Sequence, residues 1–466
     1  MTPGLLVREK ALGILNRVDR GRETLDAILE RETAPEDNNL SRADRNLLYA
    51  LVYGVLRWRR PLDRALRHFL RHPRQRIDPA LLNILRLGLF QLRLLDRIPD
   101  SAAVNTSVEL ARRNAPRHLT GFVNGILRNA VRHPNQPAPV SEKSDPIAGL
   151  AERASFPDWM VRRWVDRFGV EETARLCDAL NRMAPLTLRA NSLRTSRERL
   201  LEEMADAADA VAPTPFSPDG IRLDGPRRSV AELPGYRDGG FQVQDEAAQL
   251  AVRHLAPEPG HRVLDACAGL GGKTASMAAL MDNRGEILAV DHQSEKLERL
   301  AREMGRLGVR IAEPRIHDLE RPIPDVNGGT FDRILVDAPC SGLGVIRRNP
   351  DAKWTRTPRD LPRFQRRQIA FLERVAPLLA PDGRLGYAVC TTEPEETDAV
   401  VQAFLERNPE FRVDPRAEAL PSAAEQLVGA DGALRLFPHS HNTDGFFSIC
   451  FTRVPSSSVG GTPVEP

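Results

Sequence analysis

Cysteine is scarce in this chain of 466 residues: Cys177, Cys267, Cys340, Cys390 and Cys450 are all there are, and no two form a Cys-x-x-Cys pair. An odd number at wide spacing excludes a disulfide framework and a zinc knuckle, so no metal is expected. What remains are free thiols, and for Cys177 and Cys450 the expected role is that of a small buried apolar side chain. Long apolar runs are missing too. No window approaches eighteen apolar residues, so neither a membrane span nor a membrane partner is expected. The first residues, MTPGLLVREKALGILNRV, are charged by the eighth position and lack the apolar core and cleavage site of a signal peptide, which points to the cytoplasm. Strand-like alternation is absent from the first 132 residues.

The length suits two or three domains, and a hydrophobic content of 41% is ample for packed cores. Net charge is only +3, but it is unevenly spread. Residues 1–135 carry 24 basic and 14 acidic side chains, or +10, whereas the remainder carries −7. Ten arginines lie between Arg42 and Arg76 against only Asp44 and Asp63. Arginine forks onto phosphate, so a polyanion partner is expected for this part, with Arg57, Arg59 and Arg60 among the contacts. A solvated charged surface is the plainer alternative.

Residues 5–132 read as successive helices. SRADRNLLYALVYGVLRW begins with Ser41 as an N-cap, and GFVNGILRNAVR spaces Phe122, Val123, Ile126, Leu127, Ala130 and Val131 helically. The proline-rich RHPNQPAPVSEKSDP predicts a linker over 136–150. A small α+β module is expected over 151–240, from helical PDWMVRRWVDRFG and VEETARLCDALNRM, strand PLTLRANSL, helix SRERLLEEMADA and strand DGIRLDG. Over 241–454 the rhythm becomes strand then helix, which predicts a doubly wound, mostly parallel α/β sheet. The tail 455–466 is too polar to order itself.

VLDACAGLGGKT places a glycine-rich turn after the first strand of that sheet, and Asp291 ends the next strand twenty residues after Gly271. A carboxylate there suits ribose hydroxyls. The turn matches neither Gly-x-Gly-x-x-Gly nor Gly-x-x-x-x-Gly-Lys-Ser/Thr, which steers away from dinucleotides and triphosphates. S-adenosylmethionine fits better. Asp318 after the third strand is a candidate for the adenine, or a simple turn aspartate.

Asp337, Cys340 and Cys390 fall at the carboxyl ends of predicted strands, where an open α/β sheet keeps its site. An acid and a thiol are what C5 methylation of a pyrimidine needs. A thiolate adds to C6, the ring becomes an enamine, C5 takes the methyl, and elimination restores the thiol. Spacing alone leaves open which thiol attacks, and leaves buried packing cysteines as the alternative.

DACAGLGGKT, VDAPCSGLGVIRRNPDAKW, YAVCTTEPEE and DGFFSICFTR resemble the NOL1/NOP2/Sun family of RNA cytosine-5 methyltransferases, over about 210 residues from FQVQDEAAQ to Arg453. AAVNTSVELARR and GFVNGILRN resemble a NusB-like RNA-binding domain. The resemblance implies a multidomain chain: an all-α NusB-like domain over 1–135, the α+β module, and a Rossmann-like class I methyltransferase domain. It implies Cys390 as nucleophile, Cys340 as the thiol assisting product release, and Asp337 beside them. It implies S-adenosylmethionine held by Cys267, Ala268, Gly269, Leu270, Gly271, Gly272, Lys273, Asp291, Asp318 and Asp337. The implied partner is 16S ribosomal RNA before full subunit assembly, bound by a monomer. From charge, Arg347, Arg348, Lys353, Arg356, Arg359, Arg363, Arg366 and Arg367, crowded after the Asp337–Cys340 motif, are candidates to hold phosphates, and a solvated helix face explains the last three equally well.

Two departures stand out. The family loop usually reads Cys-Ala-Ala-Pro-Gly-Gly-Lys, whereas Gly269 and Leu270 stand in its middle here, and the usual Thr-Cys-Ser is Val389-Cys390-Thr391. Two other functions fit the same residues: the same chemistry on tRNA, and an RNA-binding assembly factor with a weakened methyltransferase core.

Overall fold

The computed structural model describes residues 4–33, 40–72, 75–138, 140, 145–321, 323, 329–416 and 420–454. The expected polar tail, 455–466, lies outside them, as does part of the expected linker. By packing, the chain forms two compact units, one of residues 1–182 with Ile346–Thr357, the other of 183–345 with 358–466.

The first unit is helical. Helices Leu5–Asp19, Leu25–Glu32, Arg42–Arg57, Arg59–Phe69, Pro79–Leu94, Asp100–Asn114 and Leu119–Arg132 enclose one apolar core. Their starts are written locally. Ser41 Oγ accepts from Asp44 N at 3.1 Å, and Asp78 accepts from Ala80 N and Leu81 N just ahead of Pro79. Val123, Ile126, Leu127 and Ala130 are buried from the last helix, while Phe122 and Val131 are partly buried against the same core. Three more helices follow, Pro146–Arg153, Asp158–Phe168 and Val170–Asn181. Residues 145–150, expected as linker, therefore begin a helix, capped by Asp145 accepting from Ala148 N at 2.9 Å. By packing, the helices expected to open the α+β module group with this unit, so the packing division falls after Arg182.

The basic run is also corrected here. Lys353 is 1% exposed, and its ammonium donates to Asn181 Oδ1 at 2.6 Å, Ser155 O at 3.2 Å and Arg57 O at 3.4 Å, over the Phe156 ring at 3.7 Å. Burial lowers its pKa well below the ordinary lysine value. Trp354 Nε1 donates to Leu56 O at 2.6 Å. Arg347 is buried, and Arg57 Nη2 donates to its carbonyl at 3.2 Å. Arg59 pairs with Asp19 at 2.7 Å and covers the Trp354 ring. Arg60 pairs with Glu152 and Asp158. Arg348 is half-buried, its charge acting on Asp26. These cations, expected on phosphates, hold Ile346–Thr357 and the helices after residue 145 inside the unit. The exposed arginines of the run from 42 to 76 include Arg45, Arg67, Arg71 and Arg76 instead.

The second unit holds two sheets. Strands β1 (Leu186–Ala190), β2 (Ala210–Pro213), β3 (Gly220–Asp224) and β4 (Phe241–Val243) form an antiparallel sheet in the order β2-β3-β1-β4. Phe241–Val243 was expected to open the methyltransferase domain, but pairs with β1.

The larger sheet comprises β5 (Arg262–Asp265), β6 (Glu286–Asp291), β7 (Ala312–Ile316), β8 (Phe331–Asp337), β9 (Leu379–Val389), β10 (Phe411–Val413), β11 (Leu434–Leu436) and β12 (Phe446–Arg453). Its order is β10-β12-β9-β8-β5-β6-β7, with β11 also on β12. Strands β5 to β9 are mutually parallel, and β12 runs antiparallel to β9. The central strands are almost wholly buried (Val263, Leu264, Ile287, Ala289, Ile334, Leu335, Val336), as parallel strands covered on both faces require. Strand order reverses between β5 and β8, so the crevice at their carboxyl ends is the topological switch point.

Candidate active site

Register places the chemistry on one edge. Asp265 of β5 pairs with Ala289 of β6, and Asp291 two residues on pairs with Ile316 of β7. Asp265 also pairs with Leu335 of β8, and Asp337 pairs with Ala388 of β9, two residues before Cys390. Strand ends Asp265, Asp291 and Asp337, and the loops carrying Cys267, Asp318, Cys340 and Cys390, thus share the carboxyl edge.

The glycine-rich turn leads directly into the helix Gly272–Leu280. Gly271 has φ +84°, and a Cβ there would come within 2.7 Å of Leu300 Cγ, so glycine is required twice over. At Gly269 a Cβ would meet nothing within 4 Å, so its backbone faces open space. Asp291 braces the turn: one oxygen accepts from Gly269 N at 3.1 Å, the other from Gln293 N at 2.9 Å. Leu270, the departure from the family loop, is 46% exposed. Asp318 is half-buried and closes a turn by accepting from Glu320 N at 2.9 Å.

Asp265 was missed from the sequence. It is fully buried, accepts from Thr274 Oγ1 at 2.7 Å, and its other oxygen has no hydrogen-bond partner. Burial pushes its pKa up to about 7, helped by the charges of Asp337 and Asp291. The available signal was an acid ending the strand before a glycine turn. An open turn with the carboxylates of Asp265, Asp291 and Asp337 around it suits a cationic, hydroxyl-bearing nucleoside.

Lys273 Nζ lies 2.5 Å from Asp337 Oδ2 and 5.3 Å from the Phe446 ring centroid. Burial works against its ammonium, but the Asp337 carboxylate more than compensates and raises its pKa, with the charge of Cys390 adding to the rise. Cys340 Sγ is 3.2 Å from Cys390 Sγ. The hydrogen bond to Cys390, and then burial, hold the Cys340 thiol well above its ordinary pKa. Cys267 is raised by burial and by the three carboxylates. Cys177 and Cys450 are fully buried, as the sequence suggested.

The Cys340 loop rests on a polar layer that the sequence did not reveal. Glu396 Oε2 accepts from Ser341 N at 2.8 Å and from Gln368 Nε2 at 3.0 Å, and Gln368 also donates to Pro339 O at 3.1 Å. Tyr387 Oη donates to Glu396 O at 2.7 Å, and Ser341 Oγ to Thr391 Oγ1 at 3.2 Å. Both cysteine loops are thereby fixed to the same scaffold, across β8 and β9.

Sheet order and a thiol pair opposite a glycine turn define the class, a methyltransferase domain, and known proteins agree. Residues 252–452 match the family described as 16S rRNA methyltransferase RsmB/F, residues 6–132 the NusB family, and residues 156–230 the ferredoxin-like domain of RsmF/B-like methyltransferases. The probable ribosomal RNA small subunit methyltransferase B of Bacillus subtilis is 36% identical over 448 residues, covering 96% of this chain and 98% of its own. The ribosomal RNA small subunit methyltransferase B of Escherichia coli is 33% identical, covering 95% and 97%. The crystal structure of PH0851 superposes with a TM-score of 0.79 at 25% identity, covering 96% of this chain and 99% of that one. The chain belongs to the RsmB/F family of 16S rRNA methyltransferases.

Proposed function

We propose that this protein transfers a methyl group from S-adenosylmethionine to C5 of a cytosine in 16S ribosomal RNA, through a covalent bond between Cys390 and C6. The observation that carries this is the pairing of two thiols at 3.2 Å on adjacent strand ends, with Lys273 and Asp337 beside them. A packing role for the cysteines gives no reason for that cluster, and the relatives' names supply the ribosomal substrate.

Cys340 and Cys390 share a hydrogen bond between their sulfurs, and the Cys340 thiol, its pKa held up, stays protonated and leaves Cys390 as the nucleophile. S-adenosylmethionine supplies the electrophilic methyl, and the open Gly269 backbone, Asp265, Asp291 and Asp318 are the residues to hold it. Cys390 adds to C6 and C5 becomes nucleophilic. After methyl transfer a base takes the C5 proton, the C5–H electron pair closes the C5=C6 bond, and the C6–S electron pair returns to Cys390. Cys340 assists that elimination, and Asp337 faces the N3 side of the ring. The same edge serves tRNA equally well on chemistry alone; the NusB-family match and the relatives favour rRNA.

Bisulfite sequencing of 16S rRNA from cells with and without the gene tests the reading. One cytosine should lose its protection in the deletion and regain it with wild type but not with Cys390→Ala. Unchanged protection throughout overturns it.

A further inference from the structure

The helix Leu361–Val375 leads into β9 from the loop that follows Cys340. Gln368, on its inward face, is bonded to Pro339 O, so the helix is anchored to the reaction edge. Its outward face lines a groove of about 630 Å³ with Arg363, Phe364, Arg366, Arg367 and Arg374, and Glu320 closes the other side. Positions 363, 367, 370 and 374 follow one another by four, three and four, which makes a single helical stripe. At 1.5 Å per residue that stripe is about 16 Å long. At about 3.4 Å per stacked nucleotide it matches four or five phosphates.

The groove is built. Arg374 Nη1 donates to Leu319 O at 2.6 Å, one residue from Asp318. Arg367 pairs with Glu320 at 3.2 Å and lies 5.1 Å from the Phe371 ring centroid. Arg363 stands 5.5 Å from the Phe364 ring centroid, and its exposed guanidinium pairs at 3.1 Å with the half-buried Asp360. Arg366 is exposed. Four guanidiniums stand against two carboxylates, Glu320 and Asp360, so the lining is net cationic. Phe371 is buried in the core, and the half-buried Phe364 is the ring that stands among these cations. Cations beside such a ring suit a strand whose phosphates pair with arginine while a base stacks. An acidic peptide needs the charge but not the ring.

We propose that this groove binds the single-stranded RNA segment next to the target nucleotide. The proposal rests on RNA being the substrate. One end of the groove adjoins Asp318 and the helix forming it is tied to the Cys340 loop, so a strand bound there is continuous with the reaction edge.

The test uses the full chain and 16S rRNA fragments, reading affinity across a salt series alongside steady-state methylation. The double variant Arg363→Glu, Arg366→Glu should raise KM for RNA at least about tenfold, leave kcat within about twofold, and leave S-adenosylmethionine affinity unchanged. Its log–log salt slope should fall by about 1.4, at about 0.7 per phosphate on a single strand. Phe364→Ala should weaken binding without altering the slope. Arg363→Lys, Arg366→Lys should keep the slope, with an unchanged melting curve as the check on folding. An unchanged KM and slope in the glutamate variant overturn the proposal. So does intact RNA binding with loss of a polyglutamate probe, which would assign the groove to an acidic protein. If wild type shows no salt-dependent RNA binding, the groove proposal falls with it. If wild type methylates RNA at another atom, the cytosine-C5 reading fails while the slope comparison still stands.

Discussion

Cys340 and Cys390, fifty residues apart in the chain, meet sulfur to sulfur at 3.2 Å because β8 and β9 are adjacent and parallel. Neither thiol could be assigned from spacing; the contact makes them a pair whose roles separate by experiment. Cys390→Ala should abolish methylation and give no protein–RNA adduct. Cys340→Ala should still attack, then release product poorly, and accumulate an adduct that survives denaturing electrophoresis. The adduct should require S-adenosylmethionine and vanish in the double variant. An adduct in Cys390→Ala with none in Cys340→Ala would reverse the roles.

Asp291 holds the turn through two backbone N–H groups. A hydrogen bond to a charged group contributes about 1.5–3 kcal/mol. Asp291→Ala should therefore weaken S-adenosylmethionine binding by roughly one to two orders of magnitude in calorimetry. RNA affinity without the cofactor should hardly move. Normal cofactor binding in the variant would remove Asp291 from the site.

Asp265, raised to about 7, favours the protonated form in the folded chain. Such a group binds more proton folded than unfolded between its ordinary value and about 7, so it makes stability decline as pH rises through that window. Asp265→Asn keeps an acceptor for Thr274 and removes the titration. The variant's stability advantage over wild type should grow from pH 4 to 7, by a few kcal/mol at about 1.4 per pKa unit, and level off above. Parallel pH profiles in chemical denaturation would show that the carboxyl is not the titrating group.

How far the sequence reached depended on whether the relevant contact was local. Caps such as Ser41, helical spacing around Ile126, and the strand–turn–helix at Gly271 depend on neighbours in sequence, and were legible. The fate of the arginines was not. A run of charge reads the same whether it faces phosphate or a carboxylate ninety residues away, and Arg60 pairs with Glu152. Glu396 and Gln368 were illegible for the same reason, since nothing local marks them as the floor under Ser341. Phe241–Val243 reads as a strand, but only pairing with β1 says which sheet owns it.

Lys353 is the clearest of those long-range cases. Lys353→Ala should cost the first unit about 3–5 kcal/mol, because Asn181 Oδ1 and two buried carbonyls lose their donor. Lys353→Met removes the same donor but keeps the stem's volume, so it should cost less by the packing that alanine also loses. Equal losses in a thermal or urea melt would mean that the donor's contacts, lost in both variants, and not the side chain's packing, hold Ile346–Thr357 in place.

The helical unit includes Ile346–Thr357, so its parts are separated in the gene. After residue 182 leaves the peptidyl-transferase centre, another 175 residues must be made before Thr357 follows. At about 5–20 residues per second that is a wait of roughly 9–35 s. During that interval the nascent helices lack Trp354 and Lys353, and Leu56 O and Asn181 Oδ1 lack the donors meant for them. A ribosome that stalls in this interval, or a protease that cuts within it, leaves a helical unit without the segment that completes it.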